Sequence, residues 1–318
     1  MTAQDTKIAT LDAEGLSLRS VSLWNITWRR LFRRRSALVG MGMLGLLVLI
    51  ALTADLVAPY SPTLSMLDAK PPQALQRRSP PCIHLLGCPA DQPQHILGTD
   101  GNIRDEFSRL LHGSRVSLVI GLSTVTFAIV IGTVLGALGG YFGGWPDNLI
   151  MRTMDVVLAF PSLLLAIAIV TVLGPGLINA LLAIGIVSIP AYARVVRASV
   201  LSVREMDYVS ATRALGGGTI QILFRRILPN ALTPLIVQGT LGIATAILDA
   251  AALSFLGLGA QPPTPEWGKM LADERNQVFT APHLVFYPGL AIMVTVLSFN
   301  LLGDGLRDAL DPRLSNVS

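Results

Sequence analysis

The sequence predicts an all-α integral membrane protein, a six-transmembrane-helix bundle with a structured loop on its cytoplasmic side. Three observations lead there. Hydrophobic residues make up 52% of the 318 and charged residues 14%, and the mean hydropathy is +0.59, too apolar for a soluble domain of this length. About six apolar runs approach the roughly 20 residues that a helix needs to cross a bilayer, at 37–57, 116–141, 149–173, 177–196, 231–258 and 285–303. Their length and lack of strict alternation exclude a closed β-barrel. Between the fourth and fifth runs, the stretch 204–229 stays polar yet is patterned like short helices.

Residues 1–36 form a polar tail ending in the basic cluster Trp28-Arg29-Arg30-Leu31-Phe32-Arg33-Arg34-Arg35. The positive-inside rule holds such a cluster in the cytoplasm, beside the lipid headgroups. No folded soluble domain accompanies it, which argues against nucleic acid as its partner. The first span, 37–57, is longer than a signal-peptide core and lacks a small-residue cleavage site, so it should persist as an anchor. Residues 58–115 form an extracytoplasmic loop, punctuated by Pro71-Pro72, Pro80-Pro81, Pro89 and Pro93. Within it lie the two cysteines, Cys82 and Cys88, whose spacing allows a small disulfide, with two free thiols as the alternative. His84 and His95 raise a zinc reading, but the spacing matches no common structural site. The loop should end in an amphipathic surface helix over 104–111, with Phe107, Leu110 and Leu111 on one face.

Residues 116–303 make a five-helix core, and 304–318 a cytoplasmic tail. Arg194, Arg197, Arg204, Arg213, Arg225 and Arg226 crowd the loop 204–229, and Arg152, Arg307 and Arg313 fall on the same inner side. The loop after the fifth span has only Lys269 and Arg275. The first outer loop holds Lys70, Arg77, Arg78, Arg104, Arg109 and Arg115, but long loops translocate largely regardless of charge. In the loop 204–229, Glu205 and Asp207 suit a helix start, Gly216-Gly217-Gly218 breaks the run, and Thr219 opens a second segment ending at Pro229.

Inside the spans, Asp249 stands out among alanines, either lining a cavity or bonded to a neighbouring helix. Pro161 interrupts the third span and Pro190 the fourth, with Pro234 and Pro288 near the starts of the last two, so kinks are expected. Gly174, Gly185, Gly242, Gly257 and Gly259 permit close helix approach. No hydrolytic triad, paired-carboxylate site, metal-ligand cluster or phosphate-binding G-x-x-x-x-G-K-[ST] loop is visible in the sequence. Active transport therefore draws either on an ion gradient or on another chain, and the structured loop favours another chain.

That loop resembles the E-A-A-x3-G-x9-I-x-L-P signature of importer-type ATP-binding-cassette permeases, with Ser210-Ala211-Thr212, Gly216 and Leu228-Pro229 at the matching spacing. Ser210, Thr212 and Arg226 replace a glutamate, an alanine and an isoleucine. Longer words make the chain similar to C-type permeases of the dipeptide, oligopeptide and nickel importers: Asp207-Tyr208-Val209 with Arg213-Ala214-Leu215-Gly216, Leu253-Ser254-Phe255-Leu256-Gly257-Leu258-Gly259, and Asn300-Leu301-Leu302-Gly303-Asp304-Gly305. Ala250 departs from the family's glutamate, with Asp249 one position earlier. The resemblance implies the type I importer permease fold in a cell-membrane complex of this chain, a second permease subunit, two cytoplasmic ATPase subunits and an extracytoplasmic solute-binding protein. It implies a non-catalytic chain with no cofactor of its own, ATP and Mg being held by the ATPase subunits. The coupling loop would dock there through Glu205, Asp207, Tyr208, Ala211, Arg213, Leu215, Gly216, Leu228 and Pro229, and Asp249, Pro161 and Pro190 are the candidates for the translocation path. Peptides, di- or oligopeptides first, are the favoured cargo, with nickel or glutathione as alternatives. An ion-coupled secondary transporter and a membrane enzyme are the other readings.

Overall fold

The computed structural model describes residues 28–65, 77–89 and 92–310. The tail 1–27, Lys70, Pro71-Pro72, Arg313 and the end of the C-terminal tail lie outside these. Five helices among the described residues are long and apolar enough to cross a membrane: α1 (Arg35–Val57), α2 (Glu106–Phe142), α5 (Leu177–Arg204), α9 (Thr233–Phe255) and α11 (His283–Leu310). Between α2 and α5 lie α3 (Gly144–Leu158) and α4 (Ser162–Leu173), bent by 91°. The loop 204–229 contains α6 (Asp207–Ala214), α7 (Thr219–Ile222) and α8 (Leu228–Ala231), and α10 (Trp267–Glu274) lies between α9 and α11.

The organising contact is between α2 and α5. Gly132, Gly136 and Gly140 recur every four residues and so form one ridge of α2. A Cβ on Gly132 would stand 2.8 Å from Tyr192 Cβ, one on Gly136 would strike the Ala193 carbonyl oxygen, and one on Gly140 would lie 2.9 Å from the Arg197 carbonyl oxygen. With no side chains on this ridge the two backbones touch, and Ala193, Val196 and Val200 are fully buried beneath it. This ridge is not among the glycines singled out above, although its GxxxGxxxG spacing is plain in the sequence. Residue numbers rise together across the contact, so α2 and α5 run parallel.

Two parallel neighbours must be joined by chain that returns across the whole layer, and α3 with α4 makes that return as the sixth crossing. The sequence predicts one straight third span over 149–173, and here the structure differs. Pro161 has no N–H to donate and disfavours helical geometry at Phe160, so the helix ends at Leu158 and restarts at Ser162. Pro190 acts differently: α5 runs unbroken through it, with the ring buried in the bundle.

The other helices pack antiparallel. Leu31, Ala37 and Ala309 form one apolar cluster where α1 begins and α11 ends, with Arg34 3.9 Å from Asp308. At the other end of α1, Arg115 donates to the Ala51 carbonyl and to Asp55. The described termini and the loop 204–229 therefore share one face of the bundle, and residues 58–65, 77–89, 92–105 and 256–282 share the other.

That second face is a layer of its own. The surface helix expected over 104–111 is instead the first turn of α2, which starts at Glu106 and runs on without a break. The polar side of that turn is buried under loops rather than wetted, and Arg104, Asp105 and Ser108 find their partners there. Asp100 accepts from Arg104 Nε at 2.7 Å and lies 3.6 Å from Arg109 Nε. Asp105 caps α2 by accepting from the Ser108 N–H and pairs with His95 at 2.9 Å. Glu274 binds Arg78 and the Gly101 N–H, stitching the segment between α9 and α11 to the one that precedes α2. The indole N–H of the buried Trp267 donates to the Leu110 carbonyl. Glu266 caps α10 through the Gly268 and Lys269 N–H groups, and burial pushes its carboxyl up against the opposing pull of those bonds. Cys82 and Cys88 are joined in a disulfide with Cα atoms 5.3 Å apart, closing the turn His84–Leu86.

Replacing Gly136 with valine forces a side chain into the Ala193 backbone and should cost about 1–3 kcal/mol or more. The midpoint of thermal unfolding in detergent should fall accordingly. Gly289→Val, where a Cβ meets open space, is the control and should fall far less.

Candidate functional site

The loop 204–229 is built on the C-terminal end of α5 and the N-terminal end of α9. The fourth apolar run ends near 196 in the sequence, but α5 continues to Arg204, carrying the loop two further turns beyond it. Glu205, expected to open the first loop helix, is instead the C-cap of α5, 3.1 Å from Arg204. Asp207 does open α6, where its charge complements the positive helix end, and Arg213 occupies the last turn. The Arg204 guanidinium also donates to the Gly140 and Tyr141 carbonyls, so it closes the end of α2 as well.

Gly216 ends α6 with φ +83°, a conformation that glycine adopts without strain, and the Gly217 N–H returns to the Thr212 carbonyl. The second segment does not end at Pro229. Residues Leu223–Ile227 widen into a π-turn in which the Leu228 N–H bonds to the Leu223 carbonyl, and Pro229 then falls in the first turn of α8, where its missing N–H costs little. A three-way knot locks the two halves together. The Tyr208 hydroxyl donates to the Arg226 carbonyl at 3.2 Å, and the Asn230 amide donates to both the Tyr208 oxygen and the Arg226 carbonyl.

The loop has a keel and a free face. Val209, Ile222, Leu223 and Ile227 are buried. Leu215 is 88% exposed, Ile220 74% and Phe224 58%, with Met206 and Tyr208 also exposed. Ala211, Arg213, Gly216 and Pro229 share this exposure, while Leu228 is half-buried. Ile220 and Phe224, neither among the expected docking residues, line a groove of about 450 Å³ with Gln221 and Arg225. Their signal was only partly available: 220 and 224 are one turn apart on the face opposite Ile222, but helical spacing would put Ile227 on their side, and it is the π-turn Leu223–Ile227 that buries it.

Two ion pairs tie α3 to α5 beside the loop. Asp147 accepts both Arg197 nitrogens at 2.5 and 2.6 Å with its carboxylate mostly buried, and Asp155 accepts from Arg194 at 2.6 Å with both partners half exposed. A separation of eight residues between Asp147 and Asp155 thus faces one of only three on α5, so α3 crosses α5 obliquely. Pro161 and Pro190 fall where these elements turn and pack. Asp249 lies apart, half-buried in α9, with no hydrogen bond or ion pair among the described residues. No group of three or more His, Cys, Asp and Glu suited to a metal occurs among the described residues.

Residues 128–316 match the family model of the binding-protein-dependent transport system inner membrane component, and 22–81 match the N-terminal transmembrane domain of oligopeptide transport permease C. The chain belongs to the ABC importer permeases of the peptide/nickel family. This permease is 50% identical to the di/tripeptide transport system permease protein DppC of Pseudomonas aeruginosa over 92% of both chains. It is 47% identical to the dipeptide transport system permease protein DppC of Alkalihalophilus pseudofirmus over 93% of this chain and 92% of that one. Against the glutathione transport system permease protein GsiD of Pectobacterium atrosepticum it is 44% identical over 92% of each. A solved structure of the MetNI methionine ABC transporter, inward facing, shares the fold, with TM-score 0.53 and 20% identity over 64% of this chain and 96% of that one. The permease is thus a multi-pass inner-membrane protein and a non-catalytic subunit, in a family whose ATP hydrolysis is performed by partner ATPases. The family and fold expected from the sequence are borne out.

Arg197→Ala strands the Asp147 carboxylate and should destabilise the permease by roughly 2–3 kcal/mol, less than for a fully buried pair because Arg197 is one-third exposed. Arg194→Ala breaks an exposed pair and should cost about 0–1 kcal/mol. Thermal unfolding of the two variants side by side checks the ordering.

Proposed function

We propose that this permease forms half of the translocation pathway of a peptide importer, with di- or tripeptides as cargo, and is driven through the loop 204–229. The observation that carries the driving role is the exposed apolar face of Leu215, Ile220 and Phe224 on a loop whose own keel is already buried. A rigid apolar surface of this kind on an aqueous face marks a protein contact. Tyr208, Ala211, Gly216, Leu228 and Pro229 complete the docking surface, and Glu205, Asp207 and Arg213 lie at its charged rim. An ATPase subunit seated there, holding ATP and Mg, would draw the inner ends of α5 and α9 between two positions as it closes, switching access to the path. The path candidates are Asp249, Pro161 and Pro190.

The loop face and both termini are cytoplasmic in this reading, supported by the arginines of the loop and of residues 29–35. The boundaries 1–36, 37–57, 58–115, 116–303 and 304–318 keep their assigned sides. A second permease subunit supplies the other half of the path, two ATPase subunits the force, and an extracytoplasmic solute-binding protein the cargo. Peptide cargo is supported by the relatives named for di/tripeptide and dipeptide transport; the relative named for glutathione carries a molecule that is itself a tripeptide.

Leu215→Glu and Phe224→Glu place a charge on the docking face without touching the keel or the left-handed Gly216. Each should weaken ATPase association by roughly 30-fold or more, as expected for an interface anchor. Co-purification from membranes and peptide-stimulated ATP hydrolysis in proteoliposomes measure it. An intact, fully coupled complex in both variants would refute the docking face.

A further inference from the structure

At the outer end of α9 a pocket of about 400 Å³ is lined by Phe255, Leu256, Lys269, Asp273, Arg275 and Asn276, among others. Two of its charges are mutually consumed: Lys269 is ion-paired with Asp273. Arg275 is not. Its guanidinium lies over the Phe255 ring, 5.7 Å from the centroid, and makes no hydrogen bond or ion pair among the described residues. The ring holds the guanidinium by its face and leaves its N–H edge free for a planar anion such as a carboxylate. The net pole of this mouth is therefore positive.

Asp249 precedes Leu256 by seven residues and so sits two turns beneath it on the same side of α9, about 10 Å along the helix axis. It is only half-buried and has no hydrogen-bond or ion-pair partner among the described residues. Thr245, one turn deeper, is exposed on the same side. An unpaired carboxylate at this depth is too costly against lipid, so this side of α9 faces a polar path. Leu256 lines the same pocket as Arg275, so the free anion stands about 10 Å deeper along α9 than the wall of the pocket that holds the free cation, and the two make a dipolar ruler. Three extended residues span about 10 Å, and the reach of the two side chains accommodates two.

We propose that Arg275 and Asp249 are the two poles of a transient binding site for a short zwitterionic peptide, Arg275 taking the terminal carboxylate and Asp249 the α-ammonium. This deepens the peptide reading above and rests on it. Both contacts are charge-assisted hydrogen bonds that form as the peptide enters the path. A longer peptide cannot satisfy both poles while extended, so the site favours two or three residues.

The test uses the complete importer in proteoliposomes, with trialanine, N-acetyltrialanine and trialanine amide each at concentrations that saturate the binding protein. Wild type should move trialanine about tenfold faster than either blocked peptide. Asp249→Asn should erase the preference over the acetylated peptide and keep that over the amide, Arg275→Gln should do the reverse, and Asp249→Glu should retain both. A wild type indifferent to the blocking groups overturns the proposal. So does a loss that is equal for all three peptides in either variant, down to no flux at all, since that assigns the residue to packing. If wild type moves no trialanine, the peptide reading itself falls, and this pairing with it.

Discussion

The architecture depends on one bare contact, the glycine ridge of α2 against the backbone of α5. Helices in a bilayer gain nothing from hydrophobic exclusion of their neighbours, so association rests on close fit, and three glycines in register provide the closest fit available. Because that contact joins two helices running the same way, it dictates the connection between them. The chain must cross back between Phe142 and Leu177, and the broken pair α3–α4 is the solution this sequence offers. Arg197 and Arg194 then hold α3 at its oblique angle, on the very helix that delivers the loop.

The two faces of the bundle solve opposite problems. On the face that holds residues 92–105 and 256–282, charges are turned inward: Asp100 binds Arg104, Asp105 binds His95, Arg109 donates to the Pro62 and Pro263 carbonyls, and Glu274 binds the first loop to the second. Such a network orders a loop-rich layer that has little apolar core of its own. On the opposite face, apolar side chains are turned outward, and the folding of the loop is secured by a small keel and by the Tyr208–Arg226–Asn230 knot. One layer is closed upon itself, and the other is left open for contact.

Much of this was legible in the sequence. Apolar run length gave the helical class, and the spans near 37–57, 231–258 and 285–303 fall close to α1, α9 and α11, because a bilayer enforces length as few other environments do. The loop words carried the family. What escaped was set by tertiary context. Hydropathy cannot see that the polar face of 104–111 has its counter-charges waiting in neighbouring loops, so the first turn of α2 read as a wetted surface helix. Nor can it distinguish Pro161, which divides two helices, from Pro190, which α5 absorbs within a packed interface. The end of α5 was placed too early because Arg197 and Arg204 read as polar loop, whereas one is neutralised by Asp147 and the other caps α2. Pro229 read as a stop because a π-turn leaves no mark in composition.

The double attachment of Arg204 has a mechanical corollary. Its guanidinium grips the terminal carbonyls of α2 while its backbone ends α5, so the two parallel staves are riveted at the tip and pressed together higher up. A 28-residue rod is about 42 Å long. Riveted to its neighbour, it pivots as a stiff beam instead of fraying where it is pulled, and a few degrees of tilt at one extremity become several ångströms of travel at the other.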